Sequence, residues 1–131
     1  MIRRDQGDLP GALADITYSI EWGLKQLPVD ERSVAIDRAA RASIRQQQGD
    51  LPGALADIGY SIECILNQAP VDELSVAIWR YLRASILRDL LQYPEAREEI
   101  AAALSWYEAS LPGDTRTIGL MQTIRDSIPG E

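Results

Sequence analysis

Arginines 41, 83 and 125 recur at intervals of about 42 residues, and acidic residues recur with them at Asp15, Asp57 and Glu99. A guanidinium presents its donors in a planar fork that fits a carboxylate with two bonds at once. Two uses of such a series follow. Buried arginines must be paired, and the recurring acids then form a ladder of ion pairs that fixes how helices stack. Exposed arginines form a column that grips the carboxylates of an acidic peptide. On a helical wheel Arg83 falls between Val76, Trp79, Leu87 and Leu90, inside the apolar arc. That placement weighs toward the ladder and leaves the peptide reading open.

Other recurring positions differ between copies. Asp37, Trp79 and Met121 are equivalent, and so are Ala39, Tyr81 and Thr123. Unlike residues among like ones are where a particular ligand is read. They are also where end units meet water and a middle unit meets neighbours, which alone accounts for Trp79 and Tyr81. The candidate partner-contacting residues are therefore Asp37, Arg38, Arg41, Trp79, Arg80, Tyr81, Arg83 and Arg125. Trp79 and Tyr81 could instead line a pocket for a small molecule or a signal peptide.

Catalytic chemistry finds little support. There is no histidine, which removes the commonest general base and metal ligand. Glu98-Glu99 and Asp30-Glu31 are adjacent pairs, and adjacent helical residues point in different directions. Gly49-Asp50-Leu51-Pro52-Gly53 lacks the lysine of a phosphate loop. Cys64 has no basic neighbour in sequence to lower its pKa and reads as a small core residue, not a nucleophile. We therefore expect no catalytic residues, no metal and no cofactor, and a protein that is not an enzyme.

Composition sets further bounds. The 131 residues carry a formal charge of −7, the opposite of a nucleic-acid binder's basic footprint. No apolar run approaches the ~20 residues of a membrane span. The opening Met1-Ile2-Arg3-Arg4-Asp5-Gln6 has no apolar stretch behind its basic pair and does not read as a signal peptide. A single cysteine fits a reducing compartment. The expected location is cytoplasmic.

The elements that position these residues come from a repeat. Gln48 to Ile58 repeats Gln6 to Ile16 letter for letter, Tyr60-Ser61-Ile62-Glu63 repeats Tyr18 to Glu21, and Pro70-Val71-Asp72-Glu73 repeats Pro28 to Glu31. Roughly 30 of about 41 aligned positions agree. A diverged third copy begins at Tyr93-Pro94-Glu95-Ala96. The units run over 6–47, 48–89 and 90–131, within one domain of residues 1–131. Ile2-Arg3 aligns with Ile44-Arg45, so the first residues read as the tail of a helix in a chain that begins partway through a repeat. The near-identity of the first two copies implies recent duplication or deliberate construction. The third copy's divergence and the odd Cys64 lean toward natural parts.

Within each copy the period is helical. Leu9, Leu13, Ile16, Ile20 and Leu24 form one stripe, and Leu51, Leu55, Ile58, Ile62, Ile65 and Ala69 alternate steps of four and three. Pro10 suits a first helical turn, Asp8 and Asp30 suit caps, and Pro28 stops a helix. Six helices are predicted, at about 10–26, 31–48, 52–67, 73–91, 94–110 and 115–127. In the second of these, Val34, Ile36, Ala40 and Ile44 are the apolar positions. The fourth is apolar over more than half its circumference, which predicts packing on more than one side.

Gly49-Asp50-Leu51 followed by Ala54, Ile58, Ser61 and Ile62, with Ala42 and Ala84 on the preceding helix type, resembles the tetratricopeptide repeat in a long form of about 42 residues. Pro70 matches the family's terminal proline, displaced by about one helical turn as a lengthened second helix requires. Arg38 and Arg41, and again Arg80 and Arg83, depart from its first-helix aromatic and leucine, and Leu51 stands where it prefers tyrosine, which Tyr93 restores. The resemblance covers nearly the whole chain. It implies an all-α, right-handed α-solenoid of antiparallel helix hairpins with a concave face that binds an extended peptide.

A helical repeat buries its apolar face only against neighbours. The first helix has no hairpin partner before it in the reading above, so Leu9, Leu13, Ile16 and Ile20, with Trp22 beside them, are candidates for self-association into a homo-oligomer. The expected function is a non-enzymatic scaffold that binds a protein or peptide, with no nucleic-acid or membrane partner. The alternatives are a self-assembling repeat protein, as a natural fragment or an engineered chain, and a regulatory ligand-binding domain.

Overall fold

The computed structural model describes residues 7–130. Their regular structure is entirely helical: α1 (Leu9–Leu24), α2 (Glu31–Gln47), α3 (Leu51–Leu66), α4 (Glu73–Asp89), α5 (Tyr93–Ser110) and α6 (Thr115–Ser127). The predicted helix tail at the start of the chain lies outside the described residues, apart from Gly7.

An aspartate starts five of the six helices. The carboxylates of Asp8, Asp30, Asp50, Asp72 and Asp114 accept from the amides of Gly11, Ser33, Gly53, Ser75 and Thr117 at 2.9–3.2 Å, satisfying donors that a first turn leaves open. A side chain at Gly53 would collide with the Asp50 carboxylate, so cap and glycine come as a pair. The hydroxyl and amide of Ser33 hold the Asp30 carboxyl below its usual pKa. Its cap therefore persists to lower pH than that of an unperturbed aspartate, and is lost as pH falls through the lowered value. Helix α5 has Gln92 in this position and no side-chain cap.

Helices α2 and α4 end alike. Asp50 N–H bonds to Arg45 C=O at 2.8 Å, and Gln92 N–H bonds to Leu87 C=O at 2.9 Å. Each closure places the residue before it in the left-handed region, Gly49 at φ 85° and Leu91 at φ 64°. Glycine adopts this conformation at no steric cost and leucine does not. Leu91 is also mostly exposed. Leu91→Gly is expected to raise the unfolding free energy by about 0.5–1 kcal/mol and Gly49→Leu to lower it by about 1 kcal/mol, both read by urea denaturation.

The chain divides into two compact units, Met1–Val71 and Asp72–Glu131. In the first, α2 packs against both α1 and α3; in the second, α5 packs against both α4 and α6. Helix α4 meets α5 and, more lightly, α6, in keeping with its broad apolar surface. Ala12, Ile16 and Ile20 of α1 join Val34 and Ile44 of α2 in one core cluster, edged by Leu9, Leu13, Val29, Ala40 and Tyr60. Ala35, Ala42 and Ala54 are completely buried, which is what close helix crossing requires. Ile36 does not join them: it lies on the solvent side of α2. In the second unit Ala84, Ile86, Ala96, Ile100, Ala103 and Met121 play the corresponding part.

Candidate functional site

Asp57 sits in the second turn of α3 with none of its side chain exposed. Facing it on α2, Arg38, Arg41 and Arg45 follow steps of three and four, so all three project from one side of that helix. All three reach the same carboxylate. Arg41 grips both oxygens, Nε donating to Oδ2 at 2.8 Å and Nη2 to Oδ1 at 2.7 Å. Arg38 Nε donates to Oδ1 at 3.2 Å and Arg45 Nη1 to Oδ2 at 2.9 Å. Hydrogen bonding to Asp57 raises the Arg41 pKa against the opposing effect of burial, and Glu21 adds to the field.

The surroundings fix this geometry. The Arg38 guanidinium lies over the Tyr60 ring, 4.1 Å from its centroid. The buried Ser61 hydroxyl donates to the Ala35 carbonyl at 2.7 Å and tethers α3 to α2 one turn away. Arg45 Nε also stands 3.7 Å from Asp50 Oδ2. Arg41 is nearly enclosed, whereas Arg38 and Arg45 each keep about a quarter of the side chain exposed. Arg38 engages only Nε in hydrogen bonds to described residues.

The chain matches no family model. Neither a curated protein nor a solved structure shows significant similarity to it.

The second unit holds a thinner version. Arg83 Nη2 donates to Glu99 Oε1 at 2.9 Å. Leu87 stands where the first unit has Arg45, and the longer glutamate replaces Asp57. Glu99 Oε2 and Arg80 Nε are buried without a hydrogen-bond partner among the described residues. Arg125, the third of the series, is half exposed and pairs with the adjacent Asp126 at 3.0 Å. Asp15, the first of the recurring acids, is exposed on α1. The three rungs that look equal in sequence are thus one full cluster, one single bond and one surface pair.

The remaining candidates fall as follows. Asp37 accepts from the Ser19 hydroxyl at 2.8 Å. Trp79 is buried, with 8% exposed, and Tyr81 is half-buried. Of the proposed self-association residues, Ile16 and Ile20 are in the core and Leu9 and Leu13 pack against it, because α2 closes over that stripe. Trp22 alone is exposed. Cys64 is partly buried, with Sγ 3.6 Å from the Glu31 carbonyl. Burial, and then the Glu31 charge, pushes its thiol pKa up, which makes it a poor nucleophile.

Arg45 and Tyr60 belong to the cluster and were not among the sequence candidates. The 38–41–45 spacing was the available signal. Among the described residues no group of three or more His, Cys, Asp or Glu is placed to hold a metal. No described helix is long and apolar enough to cross a membrane.

Proposed function

We propose that this chain is a non-enzymatic interaction module of helical repeats resembling tetratricopeptide repeats, and that the α2–α3 face around Arg38, Arg45 and Tyr60 takes an acidic stretch of a protein partner. The carrying observation is the charge at Asp57. Three guanidiniums meet one buried carboxylate, on a chain whose overall charge is −7.

Arg41 is committed to Asp57 through both of its bonds. Arg38 is the group that can recruit. Its Nη atoms are not hydrogen-bonded to described residues, and the Tyr60 ring holds its plane, so little order is lost when a carboxylate binds. Asp50 near Arg45 and Glu21 near Arg41 offset part of the positive charge. They confine the attraction to the Arg38 edge.

A fluorescent Glu-rich peptide titrated at low salt tests this. Binding should weaken as salt rises, and Arg38→Met should weaken it about ten-fold (~1.4 kcal/mol). The unfolding free energy should fall by only about 1 kcal/mol for the lost Asp57 bond and Tyr60 contact, since the methionine keeps the packing stem and Arg41 and Arg45 still hold Asp57. Equal affinity for a neutral peptide of the same length, or no loss in Arg38→Met, would sink the proposal.

A further inference from the structure

We propose that the acidic stretch taken at Arg38 carries a basic residue about three positions away, and that a cavity between Glu31 and Tyr60 receives it. The inference rests on the reading of Arg38 given above and assigns the other half of that binding surface.

An open cavity of about 380 Å³ lies between α2 and α3, lined by Glu31, Tyr60, Glu63, Cys64, Asn67 and Gln68. Tyr60, Glu63, Cys64 and Asn67 follow steps of three, one and three, and so share one side of α3 and its C-terminal cap. Glu31 closes the cavity from the first turn of α2. The Tyr60 ring belongs to both places: it lines the cavity and carries the Arg38 guanidinium on its face. One continuous surface thus runs from the guanidinium, past the ring, to two carboxylates.

The repeat shows why the cavity is here. Trp22 and Trp106 stand where α3 has Cys64, and a thiol leaves open the space that an indole would fill. The thiol is turned to the Glu31 carbonyl at 3.6 Å, and the Gln68 side-chain amide donates to the sulfur at 3.7 Å, so the floor of the cavity is held by its own contacts. In the third copy Ala102 and Ser105 replace Tyr60 and Glu63. The ring, the carboxylate and the space are lost there together.

The lining selects the occupant. Glu31 and Glu63 are exposed at the rim, and neither is ion-paired to a described residue. Two carboxylates and two amides, with no cation among the lining residues, attract an ammonium or guanidinium and repel a carboxylate. An apolar side chain would strip water from these groups and return nothing. The spacing sets the rest. Glu31 precedes Arg38 by two turns of α2, roughly 10 Å along the axis. Three residues of a polyproline II segment advance about 9 Å and bring the side chain back to the same side. One short extended segment therefore satisfies Arg38 and the cavity at once when its acid and base are three positions apart.

Two fluorescent peptides test this: an acidic stretch flanked on each side by a lysine three positions away, and the same peptide with glutamine in place of lysine. The lysine peptide should bind about three- to five-fold tighter, the worth of a partly exposed ion pair. In a protein carrying both Glu31→Gln and Glu63→Gln the two peptides should bind alike. Both glutamates are on the surface, so the circular dichroism spectrum should not change. Carbodiimide coupling should link the peptide's lysine to Glu31 or Glu63, found by mass spectrometry. Equal binding of the two peptides to the wild-type chain would overturn the inference and leave the acidic contact at Arg38 standing. A lysine advantage that survives the double substitution, or links to other carboxylates only, would do the same. If Arg38→Met weakens neither peptide, the reading of Arg38 falls and this inference falls with it.

Discussion

Asp57→Asn is expected to lower the unfolding free energy by about 3–5 kcal/mol, the usual consequence of leaving buried charge without its counter-ion. Against a total stability of roughly 5–15 kcal/mol for a domain, that is enough to unfold a marginal protein. The substitution keeps the volume of the side chain, so packing contributes little to the loss. It removes the one negative charge that Arg38, Arg41 and Arg45 share, and an amide nitrogen would face a guanidinium. The Ser61 tether survives, because Ser61 donates to backbone carbonyls.

The same argument ranks the other members. Arg41→Met should cost less than Asp57→Asn, because Asp57 keeps two arginines. Glu99→Gln should cost about 1–2 kcal/mol, in the range of one hydrogen bond to a charged group. The Arg83–Glu99 pair is partly exposed and joined by a single bond, so screening reduces its worth. Urea denaturation of the four proteins measures the order. An Asp57→Asn protein within about 1 kcal/mol of wild type would mean that water or neighbouring side chains relieve the arginines, and the cluster would lose its structural role.

Much of this arrangement could be read before the structure. The steps of three and four on each segment, bounded by Asp caps and prolines, set the helices. The matched period of Arg41 with Arg83, and of Asp57 with Glu99, gave the ion pairs. What the period could not give was which neighbour covers which side. Leu9, Leu13, Ile16 and Ile20 looked open because their own spacing says only that they form a stripe; α2 supplies the cover. Arg45 stayed hidden because its counterpart is Leu87, so the comparison of copies that pointed to Arg41 pointed away from Arg45. Tyr60 stayed hidden for the opposite reason: it is identical to Tyr18, yet one lies under a guanidinium and the other faces outward. Identical letters in a repeat fix local conformation, while burial is set by the element that arrives from elsewhere in the chain.

Two isoleucines on α2 put that distinction to a quantitative test. Ile44→Ala is expected to cost about 2–5 kcal/mol, and Ile36→Ala less than about 0.5 kcal/mol. Both occupy apolar positions of the same helix, and both recur in the next copy, as Ile86 and Ile78. At about 100° per residue they lie roughly 80° apart around the helix axis, close enough for one amphipathic stripe to include both. In the structure Ile44 is completely buried and Ile36 is 47% exposed. Helix α2 has neighbours on two sides, α1 and α3, and Ile36 lies outside the arc they cover. Truncating Ile44 removes three methyl or methylene groups from a closed core and leaves a cavity that fixed neighbours cannot fill. Truncating Ile36 removes a side chain that is about half in water, and solvent fills the space it leaves. Urea denaturation gives both values. Equal losses at the two sites would mean that Ile36 is covered in solution, and the bound on α2's buried arc would have to be redrawn to include a third neighbour.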